Sequence, residues 1–367
     1  MTILSAEEME RYARHLSLSE VGLAGQEKLK KARVLLIGAG GIGSPAAYYL
    51  AAAGVGNIGI IDDDLVDRAN LQRQILFTTE DIGKSKAEIA KLRISVLNPN
   101  IHVTAYAVRL TAQNAHHLIG DYDVVLDGSD NYQTRYLVGD VAAELHKPLV
   151  SGSLYQFMGQ VGLLNSDNGP CYRCLYPEPP PEKLIPNCAE AGVLGVTAGI
   201  IGSLAASEVI KLIVGMHKAS SATLFTFDSL ANELKQYPIR QHPDCLICIK
   251  HLAFSSLPRY DGPSVCKTIP EVTPAQLKTL IESGSVVLLD VRELWEREIS
   301  QIQSSVHTPL GDIAEASLPF SANQPIVVYC KAGVRSLRAA EILRQRGFIN
   351  VSHLEGGMMA WSLMQDG

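Results

Sequence analysis

The chain has 367 residues, 47% of them apolar, and a net charge of −6. That length suits two domains at roughly 100–200 residues each. The acidic balance and the lack of a basic stripe argue against nucleic acid as a partner. The opening MTILSAEEMERYARHL is charged and helical in pattern, unlike a secretory signal. The uncharged stretch between Glu190 and Glu208 falls short of the ~20 apolar residues of a membrane span and reads as a buried or interface helix. Seven cysteines include two C-x-x-C pairs, which suits a reducing cytoplasm with metal-bound or catalytic thiols better than a disulfide framework.

In chain order, a helix pair is expected over residues 5–31. ARVLLIGAGGIG then reads as strand, glycine turn and helix, and NIGIIDDD as a second strand. A helix near 84–97, the strand IHVTAYAV, another helix and the strand YDVVLDGSD continue the alternation, which predicts a mostly parallel sheet. KPLVSGSLYQFMGQVGLLN reads as further strands, followed by the Pro-rich YPEPPPEKLIP. A helix over Val196–Gly215 and the strand ATLFTFD close the first domain, placed at 1–252. Residues 253–268 lack any period and contain Pro and Gly, as a linker does. A fresh α/β pattern fills 269–367.

Gly38, Gly40 and Gly43 form G-x-G-x-x-G between a strand and a helix. There, backbone N–H groups and the helix N-terminus favour a phosphate. Asp62 ends the next strand, where a carboxylate binds ribose hydroxyls. The motif alone points to NAD or FAD more often than to ATP. Asn70 and Arg73 in ANLQRQ, Lys86 opening a helix, and Asp130 with Asn131 after VVLDGS shift the balance. Hydride transfer has no use for cations converging on phosphates. Nucleotidyl transfer does, with Asp holding Mg²⁺.

RYARHL, GAGGIGSPAAYYLAAAGVGNIGIIDDD, NLQRQ, GKSKAE, LDGSDNYQTRYL and NCAEAGVLGV resemble the MoeB/ThiF-type adenylating enzymes related to ubiquitin-activating enzyme, over residues 5–250. The resemblance implies a Rossmann-like, mostly parallel α/β domain that binds ATP and Mg²⁺. It implies that Gly41 and its neighbours hold phosphates and Asp62 the ribose. Asn70, Arg73 and Lys86 would contact the triphosphate and Asp130 the Mg²⁺. Arg14 would reach a partner subunit's site, so a homodimer is implied. The family's substrate is the C-terminal Gly-Gly carboxylate of a ubiquitin-like sulfur carrier, as used in molybdopterin, thiamine, cysteine and tRNA-thiolation pathways.

CYRC (Cys171, Cys174) and CLIC (Cys245, Cys248) each present two thiolates, and two such pairs complete a tetrahedral zinc site. A redox dithiol is the rival reading. The gap between the pairs exceeds that of a zinc finger, but the resemblance implies such a four-cysteine Zn²⁺ site. Four thiolates leave no open position for catalysis. Cys188, in IPNCAEAGVLG, is either a buried thiol or a nucleophile toward the acyl-adenylate.

From Ile269 the chain resembles a single rhodanese domain, carried by VVLLDVRE and by VVYCKAGVRSLRAAEIL with the later LEGGMMAW. Cys330 to Arg335 forms C-x4-R, one residue shorter than the C-x5-R of Cys-based phosphatases, which favours sulfur over phosphate. Backbone N–H groups, the helix N-terminus and Arg335 are expected to stabilise a thiolate or persulfide at Cys330. Where many rhodaneses show H-I-x-G-A, this chain has QIQSSVHTPLGDI, so the entrance around the loop is expected to differ. Asp290 and Arg292 read as structural, and Cys266 as incidental or a relay thiol. Sulfur would come from thiosulfate or a cysteine desulfurase. A regulatory, non-catalytic rhodanese domain is the competing reading.

Overall fold

The computed structural model describes residues 2–166, 169–178, 192–216, 222–257 and 269–365. It divides into two compact units, Met1–Gly262 and Pro263–Gly367.

In the first unit the expected helix pair is three pieces, α1 (Ala6–Arg11), α2 (Ala13–Leu16) and α3 (Gly22–Lys31). Tyr12 separates α1 from α2, and its buried hydroxyl accepts a hydrogen bond from Asn98 Nδ2 at 2.8 Å. The alternation that follows is β1 (Arg33–Ile37), α4 (Gly43–Ala52), β2 (Asn57–Ile61), α5 (Lys86–Leu97), β3 (His102–Tyr106), α6 (Ala115–Gly120), β4 (Val124–Asp127) and α7 (Tyr132–Glu144). Then come β5 (Leu149–Tyr155), β6 (Met158–Leu164), α8 (Tyr172–Leu175), α9 (Gly195–Val214), β7 (Thr223–Asp228) and β8 (Glu233–Pro238).

The sheet runs β3-β2-β1-β4-β5-β6-β7-β8. It is parallel from β3 to β5 and antiparallel from there to β8. Strand order reverses beside β1, because β2 lies on one side of it and β4 on the other. Open α/β sheets bind ligands at such a switch point, outside the carboxyl ends of the strands. The register levels those ends, pairing Ile37 with both Ile61 and Asp127. Continuous burial of β4, and of β1 after its first residue, explains their unbroken apolar runs. β8 is exposed throughout, so its ELKQYP carries no alternation that would announce a strand.

Helix α9 spans 20 residues, so it is long and apolar enough to cross a membrane by length and composition. It packs on α4, β5 and β6 instead, burying Ala198, Ile201, Ala205 and Val209. A side chain at Gly202 would meet the Ile42 carbonyl oxygen at 2.3 Å, so only glycine permits this close approach.

The second unit contains β9 (Glu271–Val272), α10 (Pro274–Glu282), β10 (Val287–Asp290), α11 (Leu294–Ile299), β11 (Val306–His307), β12 (Ile326–Tyr329), α12 (Val334–Gln345), β13 (Val351–Leu354) and α13 (Gly357–Gln365). Its parallel sheet runs β11-β10-β12-β13-β9 and places β12 at the centre. Thr273 and Gln276 form a capping box that starts α10, with Pro274 at its first position.

Candidate active sites and metal centre

A cavity of about 320 Å³ opens at the switch point of the first sheet. Gly38, Gly40 and Gly41 form its floor, with Asp62, Arg73, Lys86, Asp130 and Asn131 around it. Gly38 has φ +86°, which glycine adopts without strain. Gly43 does not line the cavity. A Cβ there would lie 1.9 Å from the Gly38 carbonyl oxygen, so its glycine serves the tight entry into α4.

The Asp62 carboxylate accepts the Ala39 N–H at 2.8 Å and the Asp64 N–H at 2.9 Å. Burial pushes its pKa up, and the Lys86 charge pulls it back. Lys86 is almost fully buried and its Nζ lies 2.7 Å from Oδ2 of the exposed Asp64. The Lys86 N–H also donates to the Asp64 carbonyl, so the end of β2 and the start of α5 form one support. Arg73 follows a 3-10 turn at Arg68–Asn70 and donates to Asn70 Oδ1 at 3.1 Å. Asn70 therefore orients Arg73 rather than lining the cavity.

Asn131 lines the cavity and also caps α7, its Oδ1 accepting the Thr134 N–H at 2.8 Å. Arg14, on α2, is exposed and lies outside the cavity lining. Cys188 and Cys266 fall outside the described residues. Sequence reading did not single out Asp64, Asp127, Ser129 or Arg135. Of these, Asp64 could have been suspected from the acidic triplet closing β2. The mixed polar face of α7 gave Arg135 no periodic signal.

The oxygen donor of Asp130 suits Mg²⁺, which takes one or two carboxylates together with substrate phosphates. The glycine floor and the two cations suit a triphosphate.

The four sulfurs of Cys171, Cys174, Cys245 and Cys248 lie within 4.8 Å of one another, with separations of 3.8, 3.5 and 3.7 Å across three pairs. A tetrahedron with ~2.3 Å Zn–S bonds has edges of about 3.8 Å, so the donor set fits zinc. Four thiolates would fill a tetrahedral shell and leave no position open for a substrate. Cys245→Ser is expected to abolish stoichiometric zinc in metal analysis and to lower the melting temperature by about 10 °C or more.

Between the knuckle cysteines, Arg173 forms a buried bidentate pair with Asp140 of α7, at 2.7 and 2.8 Å. Asp140→Ala would remove the carboxylate that this buried guanidinium grips with two bonds. It is expected to cost about 3–5 kcal/mol in chemical denaturation, whereas a change below about 1 kcal/mol would place the pair among unimportant surface contacts.

In the second unit Cys330 follows β12 and is 1% exposed. Its Sγ accepts the Gly333 N–H at 3.2 Å and lies 3.5 Å from Ser336 Oγ. Gly333, at φ +98°, turns the loop into α12. Gly357 closes it from below, since a Cβ there would meet the Cys330 carbonyl oxygen at 2.5 Å. The N–H groups of Met358 and Met359 bind the carbonyls of Cys330 and Lys331. The LEGGMM stretch thus supports the loop.

Arg335 forms a bidentate pair with Glu296, at 2.6 and 2.7 Å. Burial works to raise the Glu296 carboxyl, but the Arg335 bond holds it below the usual range. The arginine's charge is thus shared with a carboxylate, a partner that the loop sequence did not announce. Asp290 and Arg292 form a buried pair at 2.9 and 2.7 Å, joined by Tyr329 OH at 2.9 Å, as a structural role requires.

These features define a nucleotide-binding α/β domain and a thiol-bearing domain on one polypeptide. The chain belongs to the ThiF family, whose model matches residues 12–247, and residues 273–364 match the Rhodanese-like domain. It is 41% identical to a probable adenylyltransferase/sulfurtransferase MoeZ of Mycobacterium tuberculosis, over 98% of this chain and 94% of that protein. It is 40% identical to adenylyltransferase and sulfurtransferase MOCS3 of Drosophila yakuba, over 98% and 84%. A sulfur carrier protein adenylyltransferase of Thermus thermophilus is 48% identical over 66% of this chain and 91% of its own. Among solved structures, E. coli MccB with ATP aligns with a TM-score of 0.59 at 25% identity, over 66% of this chain and 75% of that one.

Proposed function

We propose that the protein adenylates the C-terminal Gly-Gly carboxylate of a ubiquitin-like sulfur carrier and then converts it to a thiocarboxylate. The observation that carries this reading is the Cys330 sulfur held on the Gly333 N–H in a C-x4-R loop, on the same chain as a phosphate-directed cavity.

In the first step the carrier carboxylate attacks the α-phosphate of ATP, forming an acyl-adenylate and releasing pyrophosphate. Gly40 and Gly41 would offer backbone N–H groups to the phosphates, Arg73 and Lys86 would offset developing charge, Asp62 would bind the ribose and Asp130 would hold Mg²⁺. Magnesium supplies charge neutralisation at the phosphates when bound. Arg14 serves the neighbouring subunit's site in a homodimer.

In the second step the Cys330 thiolate attacks the outer sulfur of thiosulfate, releasing sulfite, or of a desulfurase persulfide, releasing that enzyme's thiolate, and so takes up one sulfane sulfur. The terminal sulfur attacks the acyl carbon and AMP departs, giving an acyl disulfide. A thiolate, assigned to Cys188, attacks the Cys330 sulfur. A Cys188–Cys330 disulfide forms, and the carrier leaves as its thiocarboxylate. A cellular reductant restores both thiols in a reducing cytoplasm.

The test is intact-mass analysis of Gly-Gly carriers incubated with the protein, Mg-ATP and thiosulfate. Replacement of one oxygen by sulfur on one carrier is expected. Adenylation without sulfur gain, with no persulfide on Cys330, would favour a regulatory second domain.

A further inference from the structure

Asp127 ends β4 and is fully buried, three residues before Asp130. Its Oδ1 accepts the Ser129 N–H at 2.9 Å. On the other side of that residue, Arg135 of α7 donates to the Ser129 carbonyl from Nε at 3.1 Å and from Nη2 at 2.7 Å. One residue is therefore held at its N–H by a carboxylate and at its C=O by a forked guanidinium. The guanidinium bonds are charge-assisted, about twice as strong as neutral ones, and a forked donor fixes direction as well as distance. The Gly128 N–H donates to the Ile37 carbonyl at 2.9 Å, and a side chain at Gly38 would meet the Gly128 carbonyl oxygen at 3.3 Å. The loop bearing Asp130 is thus braced against the glycine turn.

Asp127 Oδ2 makes no hydrogen bond. What this loop uses is the Oδ1 acceptor, which holds the Ser129 N–H.

We propose that Asp127 and Arg135 are positioning residues that set the Ser129 peptide and so aim the Asp130 carboxylate at the cavity, where Mg²⁺ arrives with ATP. The proposal rests on Asp130 as the magnesium ligand. Groups that orient a metal-binding carboxylate typically change metal affinity by about 10–100-fold when lost.

The experiment is calorimetric titration of the full chain with ATP, in EDTA and in MgCl2, with no carrier present. The native protein is expected to bind ATP more tightly with magnesium, and Asp130→Asn to lose that gain. Asp127→Ala should lose roughly ten-fold or more of the gain while its affinity in EDTA stays within about two-fold. Asp127→Asn, which keeps an acceptor for Ser129, should recover most of it. Arg135→Lys, which keeps the charge and loses the fork, should resemble Asp127→Ala and serves if that variant does not fold.

Equal weakening with and without magnesium, or no weakening at all, would overturn the positioning role. If Asp130→Asn loses the gain and neither Asp127→Ala nor Arg135→Lys does, the positioning role alone is wrong. If Asp130→Asn keeps the gain, the magnesium reading fails and the positioning role falls with it.

Discussion

Cys330→Ala protein is expected to continue carrier-dependent ATP–pyrophosphate exchange at the native rate while thiocarboxylate formation falls on the order of 10³-fold or more. Exchange reports only attack on the α-phosphate and its reversal, and the residues assigned to that chemistry all lie in the first unit. Cys330 supplies the atom that carries sulfur, so no neighbouring group substitutes for it. Ser336 Oγ, 3.5 Å away, is a hydroxyl and forms no persulfide. Alanine removes a single sulfur from the core cluster around Ile326, Val328 and Ala339, so the domain should keep its fold. Exchange and intact mass, measured on one preparation, separate the steps. Loss of exchange would sink the two-step scheme. A thiocarboxylate made at the native rate would place the sulfur on another residue.

Lys86→Ala is expected to lower the exchange rate by roughly 10²–10³-fold, as removal of one charge-stabilising group does. Nearly all of the Lys86 side chain is buried at the cavity wall, and its Nζ is held by Asp64. Asp64 is mostly exposed, so losing its partner leaves a solvated carboxylate rather than a buried unpaired one. The rate effect should therefore appear with little change in melting temperature. Lys86→Arg should restore only part of the rate, because the guanidinium is longer and fixed in a plane. A decrease smaller than about three-fold would remove Lys86 from the phosphate-binding set.

Much of this was legible because it is local. The apolar runs of β1, β2 and β4, the glycine turn after β1, the C-x-x-C spacings and the C-x4-R loop each lie within a dozen residues. Each has a backbone or valence reason to take one form. α7 and β8 were not legible. The buried face of α7 mixes Arg135, Tyr136 and Asp140, the last two with partners 40 and 33 positions away, and β8 has no buried side chain to set a period.

By itself, then, the sequence determined two α/β domains, a phosphate-binding turn, a four-thiolate centre and a sulfur-sized cysteine loop. Tertiary structure decided which polar groups are available to a ligand. Arg335 meets Glu296, Arg173 meets Asp140 and Lys86 meets Asp64. Asp127 and Arg135 converge on one peptide beside Asp130. Hydrogen bonds and ion pairs depend on distances of a few ångströms between residues that lie up to tens of positions apart in the chain. Only the packed strands and helices set those distances.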